Sequence, residues 1–268
     1  MNWKIDWKEI KVRRNLDVEY DGGEDEVKIP WVCILVVLVF SAVFIAEMSH
    51  GVVHDKGTFL QVLGSIGPTN STLERMGALN SSHPRLSMIF TSAFLHDRLS
   101  HLLFGFCYIF AAASLEMQST SWRIGCIVLA SGLTSSISSC LFLRKGIYTS
   151  GIGVAFGLFG AKLGDIIVNW SLQENKLALL GGWFILAVVD LLSFILPNMN
   201  LIGSAGGFIT GLCFGLAILA RPTLPHCCRK TKLQRYQRIC SILSSITLLA
   251  FSLTGIVLIA LGWHMPRH

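Results

Sequence analysis

The chain has 268 residues, of which 52% are hydrophobic and only 14% are charged, and its formal net charge at pH 7 is +6. Its mean hydropathy is +0.60. These values exclude an ordinary soluble domain, because so few charged side chains would leave most of a globular surface apolar. The composition therefore predicts a membrane protein.

Seven apolar runs in the sequence are long enough to cross a bilayer, since about 20 helical residues span its hydrocarbon core. They follow a short N-terminal tail, residues 1–30, and no internal repeat is evident among them. We therefore predict an all-α polytopic bundle of seven transmembrane helices over residues 31–268. The predicted spans are Trp31–Met48, Leu99–Met117, Ile124–Leu143, Ser150–Trp170, Leu177–Leu196, Gly203–Ala220 and Ile239–Trp263.

Basic residues predict the orientation of the bundle. Short segments rich in Lys and Arg stay in the cytosol, and both the tail 1–30 and the loop 221–238 carry several of them. We therefore expect a cytosolic N-terminus and a luminal first loop, residues 50–98. That loop holds two N-glycosylation sequons, at Asn70 and Asn80. A multi-pass glycoprotein of the secretory pathway, in the Golgi or the endoplasmic reticulum, is the expectation.

The basic loop 221–238 also indicates which partners the chain has. It contains no acidic residue, and we favour membrane lipid head groups over nucleic acid as its partner because such loops face anionic lipid. The adjacent Cys227 and Cys228 are palmitoylation candidates, as juxtamembrane cysteines are, with unmodified thiols in a reducing compartment as the alternative. We expect no metal and no other cofactor.

Four segments in the middle of the chain occur in a characteristic order and spacing. They are TLERMGAL (72–79), TSAFLHDRLSHLLFGF (91–106), YTSGIGVAFGLFGAKL (148–163) and NLIGSAGGFITGLCFG (200–215). Together they resemble the rhomboid family of intramembrane serine proteases, and its plant members in particular. The resemblance covers about residues 72–222. It implies a six-helix core, and the span at about 239–263 would be an extra C-terminal helix.

The resemblance also implies where catalytic residues would stand. Rhomboids use a serine nucleophile at the start of the fourth helix and a histidine base on the sixth, with an asparagine and a histidine of the second helix as oxyanion donors. The glycines set the register, which places Ile152 at the serine, Ser204 at the histidine and Gly105 at the asparagine. His96 and His101 of the second-helix pattern are retained.

Ser150 is the alternative nucleophile, with His101 as its base. It lies two residues before Ile152, and two residues turn a helix by about 200°. Ser150 would therefore face away from the place that Ile152 faces. We favour a helix N-cap for Ser150, and for His101 a hydrogen bond to a loop carbonyl.

Small residues at three- and four-residue spacing let membrane helices approach closely. A packing or client-binding role is therefore predicted for Gly153, Gly157, Gly160, Gly206, Gly207 and Gly211. Glu116 is expected to be structural. Lys162 and Asp165 lie three residues apart on one helix and are expected to pair with each other near the membrane interface.

We compare three hypotheses about the function. The leading hypothesis is an inactive rhomboid, or pseudoprotease, that binds transmembrane client proteins and influences their trafficking or degradation without cleaving them. The alternative is an active intramembrane serine endopeptidase with Ser150 as a displaced nucleophile. A transporter or channel is disfavoured because the sequence shows neither an inverted repeat nor a pair of broken spans with matching charges. The oligomeric state is left open.

Overall fold

The computed structural model describes residues 28–54, 66–143, 146–173, 175–193, 200–221 and 235–261. Nearly all of the predicted cytosolic tail lies outside these ranges. So do Cys227, Cys228 and most of the basic loop around them. The roles assigned to those segments therefore stay predictions.

Helices make up most of the described chain. In order the elements are α1 Trp31–His54, α2 Asn70–Arg75, β1 Leu79–Asn80, α3 Leu86–Thr91, α4 Leu99–Gln118, α5 Ser121–Phe142, β2 Ile147–Tyr148, α6 Gly151–Val168, α7 Lys176–Ser193, α8 Leu201–Ile218 and α9 Arg235–Ala260, with single 3₁₀ turns at Ser92–Phe94 and Trp170–Leu172. Six of the described helices, α1, α4, α5, α6, α8 and α9, are long and apolar enough to cross a membrane. The all-α polytopic fold class is thereby confirmed. Helix α7 occupies the fifth predicted span, and the total of seven spans stays a prediction.

The two strands mark one end of the bundle. They pair antiparallel, Leu79 with Tyr148 and Asn80 with Ile147, and so join the first loop to the segment just before α6. We name this the strand end and the opposite one the far end. Helices α4, α6 and α8 begin at the strand end, whereas α1, α5 and α9 begin at the far end.

Helices α6 and α8 run parallel at the closest backbone approach in the described chain. A methyl group added at Gly211 would overlap the carbonyl oxygen of Gly157 and lie 2.7 Å from its Cα. The same holds one turn earlier, where a methyl on Gly207 would lie 3.1 Å from the Cα of Gly153. Gly160 meets the α8 backbone in the same way, with Leu212 N 2.9 Å from an added Cβ. Any side chain larger than hydrogen at these positions would separate the two helices.

Helix α5 closes the other side of this contact with small hydroxyl side chains. Methyl groups on Gly153 and Gly157 would overlap the side chains of Ser135 and Ser131, and one on Gly206 would overlap Ser138. Ser131 and Ser135 are fully buried. Three helices therefore meet where the residues of each are small, which maximises van der Waals contact between backbones.

Two buried carboxylates attach α1 to the rest of the bundle. At the far end, the Glu116 carboxylate accepts hydrogen bonds from the backbone N–H groups of Val32 (2.8 Å) and Cys33 (2.9 Å), in the first turn of α1. These N–H groups have no partner within their own helix, and the positive end of the helix dipole favours an anion there. At the strand end, Glu47 accepts from the backbone N–H of His96 (3.1 Å). The expected structural role of Glu116 is confirmed.

A second polar cluster joins α6, α8 and α9 at the far end. Asp165 pairs with the guanidinium of Arg221 at 2.6 Å and accepts a hydrogen bond from Asn169 at 2.8 Å. Gln237 of α9 donates to the carbonyls of Val168 and Arg221. The expected pairing of Lys162 with Asp165 is wrong. Arg221 lies just after α8 and pairs with Asp165 in place of Lys162. This is a tertiary contact, which the spacing of residues along one helix could not reveal.

His96 fills the space between α1 and the start of α6. It is 1% exposed, and its ring packs edge-on against Phe40 with centroids 4.7 Å apart. A methyl on Gly151 would overlap the imidazole, with Nε2 at 2.7 Å. Burial lowers the pKa of His96 from 6.5 to about 4, because an imidazolium would lose its hydration there. His96 is therefore a neutral packing residue.

The α6–α8 contact predicts a sharp difference between glycines. Gly211→Ala should destabilise the protein by roughly 1–3 kcal/mol or more, because its methyl meets backbone that cannot rotate aside. Gly125→Ala on α5 is the matched control, since an added methyl there has no heavy atom within 4 Å. Thermal unfolding in detergent and membrane yield measure both variants. Equal stability of the two would contradict the packing described here.

Burial of His96 predicts a stability that falls with acidity. The folded-state pKa lies below the unfolded one, so between about pH 6.5 and about pH 4 the unfolded chain binds the extra proton and stability falls as the pH falls. The thermal unfolding midpoint should therefore drop between about pH 7 and about pH 5, and His96→Phe should reduce the drop. His83→Gln removes an exposed histidine and should leave it unchanged. An identical pH profile for His96→Phe and wild type would contradict the assignment.

Candidate functional site

A polar cavity of about 400 Å³ opens at the strand end. Ile152 lies on its wall at the start of α6, and polar side chains from the first loop and from the starts of α4 and α8 surround it. Burial raises the pKa of the Tyr148 hydroxyl in this wall, which keeps the hydroxyl neutral. The lining residues are Pro68, Asn70, Leu73, Asp97, Arg98, His101, Leu143, Gly146, Ile147, Tyr148, Thr149, Ile152 and Asn200.

His101 is held by a carboxylate in this cavity. Its Nδ1 lies 2.6 Å from Asp97 Oδ1, one helical turn away, and the Nε of Arg98 lies 3.7 Å from the other carboxylate oxygen. His101 is 2% exposed, and its Nε2 has no hydrogen-bond partner among the described residues. The expected bond from His101 to a loop carbonyl is therefore wrong. The i,i+4 spacing of Asp97 and His101 was the signal that could have identified the acceptor.

Ile152 presents only hydrocarbon to the cavity. It is 4% exposed and belongs to a buried cluster with Tyr108, Ala155, Phe156 and Phe159. The rings of Tyr108 and Phe156 lie 5.4 Å apart beside it. No atom of this side chain can attack a carbonyl, and it packs as part of this apolar cluster.

Ser204 and Gly105 lie on the helices that flank the first turns of α6. Ser204 is 1% exposed, and among the described residues its hydroxyl has no hydrogen-bond partner. The neighbouring Gly203 carbonyl would be 3.5 Å from a methyl placed on Gly153. Gly105 faces α6, where an added Cβ would make an ordinary 3.7 Å contact with Ala155. A Cβ at position 105 would therefore fit without overlap.

Ser150 occupies the N-cap position of α6 but faces away from the cavity. It is fully buried, its backbone N–H donates to the carbonyl of Ser92 (2.8 Å), and its side chain makes no capping hydrogen bond. The predicted N-cap position of Ser150 is confirmed, but its hydroxyl makes no capping bond. No described group lies within hydrogen-bonding reach of that hydroxyl, so no base for Ser150 is found among these residues.

Asn200 connects three helices at the inner wall of the cavity, and we did not predict this role from the sequence. Its side-chain oxygen caps α8 through the N–H of Gly203 (2.8 Å). Its amide nitrogen donates to the hydroxyl of Ser139 (2.7 Å) and to the carbonyl of Thr149 (3.0 Å). One side chain thus fixes the starts of α6 and α8 relative to α5. Its position directly before an apolar helix was the available signal.

The two sequon asparagines have different surroundings. Asn70 is exposed at the rim of the cavity. Asn80 is half-buried in β1, where its amide nitrogen donates to Glu74 (2.7 Å). Glycosylation of either stays a prediction. The described residues contain no group of three or more His, Cys, Asp or Glu side chains that could hold a metal ion.

Comparison with known proteins identifies the family. Residues 83–221 match the Rhomboid domain. Three Arabidopsis thaliana proteins show the similarity. RHOMBOID-like protein 1 is 31% identical over 220 residues, 76% of this chain and 57% of that protein. RHOMBOID-like protein 7 is 32% identical over 218 residues, 76% of this chain and 70% of that protein. Inactive RHOMBOID-like protein 8 is 33% identical over 164 residues, 59% of this chain and 47% of that protein. With a domain match over half of its length and relatives above 30% identity, the chain belongs to the rhomboid family.

Proposed function

We propose that this chain is a catalytically inactive rhomboid, which binds transmembrane client proteins and influences their trafficking or degradation without cleaving them. The observation that carries the proposal is the side chain of Ile152, a hydrocarbon in the cavity at the start of α6. The glycine-built contact between α6 and α8 is intact around it. The helix packing is therefore retained, although the residue at the nucleophile position, Ile152, cannot act as a nucleophile.

Peptide cleavage by this family's mechanism needs three kinds of group, and the assigned positions supply none of them. Ile152 has no nucleophilic atom. Ser204 has no basic group near neutral pH, so it could not take a proton from a nucleophile. Gly105 offers no side-chain donor to an oxyanion. His101 retains its imidazole in the cavity, but without a nucleophile it gives no route to an acyl-enzyme.

The alternative function is a rhomboid-type endopeptidase with Ser150 as its nucleophile. The burial of Ser150 and the orientation of its backbone toward Ser92 argue against it. A serine nucleophile needs a base within about 3 Å, and among the described residues none lies within hydrogen-bonding reach of the Ser150 hydroxyl. One relative is named an inactive rhomboid-like protein, which gives the proposed class a precedent among similar chains.

The proposal has consequences for partners and location. A client would present a transmembrane helix to the bundle and a juxtamembrane segment to the cavity, whose polar groups can hydrogen-bond an extended backbone. We place the protein in the Golgi or the endoplasmic reticulum, with its N-terminus in the cytosol and its basic loop against lipid head groups. Cys227 and Cys228 in that loop are palmitoylation candidates, with unmodified thiols as the alternative, and Asn70 and Asn80 would face the lumen.

The test is a liposome assay with a generic rhomboid transmembrane substrate that carries a photo-crosslinker. Wild type should give no cleavage product by mass spectrometry but should crosslink to the intact substrate. The variant Ile152→Ser/Ser204→His/Gly105→Asn should cleave it, because the new groups would stand on a preserved scaffold. Cleavage by wild type, or loss of crosslinking to background, would contradict the proposal.

Ser150→Ala is the matched control in that assay. It removes the only hydroxyl that the alternative can use and changes nothing in the cavity. Its behaviour should be that of wild type in both cleavage and crosslinking. Cleavage that wild type shows and Ser150→Ala abolishes would establish the displaced endopeptidase instead.

A further inference from the structure

A second cavity, of about 270 Å³, lies between α4, α6 and α7 toward the far end. Its walls are mostly apolar and aromatic, and one cation, Lys162, stands among them. The side chains of Ala178 and Leu179, near the first turn of α7, form its outer edge. The other lining residues include Tyr108, Ala112, Leu158, Ile166 and Trp183.

Lys162 has no carboxylate partner in the part of the chain that the structure describes. Its ammonium donates to the hydroxyl of Ser114 at 3.1 Å. The neighbouring Asp165 is taken by Arg221 at 2.6 Å. A lysine inside a membrane span is costly unless an anion or water meets it, and an ammonium with one hydrogen bond to a hydroxyl has two further donors to offer.

The depth of Lys162 places it within reach of lipid head groups. It lies six residues before the end of α6 at Val168, which corresponds to about 9 Å along the helix axis. Ser114 lies four residues before the end of α4, about 6 Å from it. A lysine side chain at this depth extends toward the interface while its stem remains in hydrocarbon.

The cavity also has a long apolar wall, which includes Trp183. Its ring stacks on Phe159, with centroids 4.9 Å apart and an interplanar angle of 12°. On the same helix, Gly182 leaves space, because an added methyl would meet no heavy atom within 4 Å. Donors and an apolar slot in one cavity suit an amphipathic anion.

We propose that this cavity binds an anionic phospholipid of the leaflet at the far end, with its phosphate on Lys162 and Ser114 and the upper part of an acyl chain along the wall of α7. Charge complementarity selects the phosphate, since no carboxylate of the described residues pairs with this cation. Lys162 lies near the ends of α4 and α6, where we expect lipid head groups. This position favours a lipid over the carboxylate of a client. Under the expected orientation this is the cytosolic leaflet, which carries anionic lipid.

The experiment is native mass spectrometry of the purified full chain in detergent with added phosphatidylglycerol, whose only charge is its phosphate. Lys162→Met keeps the length of the side chain and removes the ammonium. It should lower the affinity for phosphatidylglycerol about tenfold, as expected for the loss of one charge-assisted hydrogen bond. Lys162→Arg should retain binding. Phosphatidylcholine with the same acyl chains has a choline cation that offsets its phosphate, so it should bind wild type more weakly than phosphatidylglycerol and lose less affinity in Lys162→Met.

Two controls make the outcome decisive. Arg123→Gln removes one positive charge at the same end of the bundle, but Arg123 lies outside the cavity and the variant should bind as wild type does. Inorganic phosphate in excess should fail to displace the lipid. Equal affinity of wild type and Lys162→Met, an equal loss in Arg123→Gln, or displacement by inorganic phosphate would each overturn the proposal. Displacement by a transmembrane peptide with one Glu, but not by its Gln analogue, would assign the site to a client instead.

Discussion

The contact between α6 and α8 is the constraint on which the rest of the structure depends. Lipid tails are as apolar as side chains, so helices in a bilayer associate through close van der Waals contact rather than through the hydrophobic effect. Gly157 and Gly211 bring two backbones so close that even a methyl group would overlap. The small hydroxyl side chains of α5 fit the same surface from the third side. The contact also sets Ile152 and Ser204, at the starts of α6 and α8, on two helices whose backbones touch.

The same constraint explains how chemistry could be lost while the fold was kept. The packing of α6 depends on its glycines, whereas position 152 borders a cavity and an aromatic cluster. A larger apolar side chain there adds buried area and breaks no hydrogen bond. Ser204 likewise fills little space, and its backbone N–H still bonds to Asn200. Because the stabilising residues and the positions assigned to catalysis are different residues, a change in one set leaves the other in place.

Hydropathy was enough to predict the six helices that are long and apolar enough to cross a membrane, since it acts locally along one helix. The start of α6 was predicted within one residue, and α8 within two. What the sequence could not supply were the partners of polar side chains. Asp165 bonds to Arg221, 56 residues away, instead of to Lys162 on its own helix. Asn200 ties together three helices that are distant in the chain. Such contacts form only in the assembled bundle. Among the side-chain pairs described here, only Asp97 and His101 could have been recognised from their i,i+4 spacing in the sequence.

The most direct test of whether the chain is catalytically inactive is labelling by a fluorophosphonate probe. Such a probe reacts with an activated serine and needs no substrate. Wild type and the variant Ile152→Ser/Ser204→His/Gly105→Asn would be compared in detergent at equal thermal stability. We expect no labelling of wild type. The variant should be labelled at position 152, as identified by peptide mass spectrometry, because the α6–α8 contact would hold the new serine beside the new histidine. Labelling of wild type at Ser150, or a folded variant that stays unlabelled, would contradict this expectation.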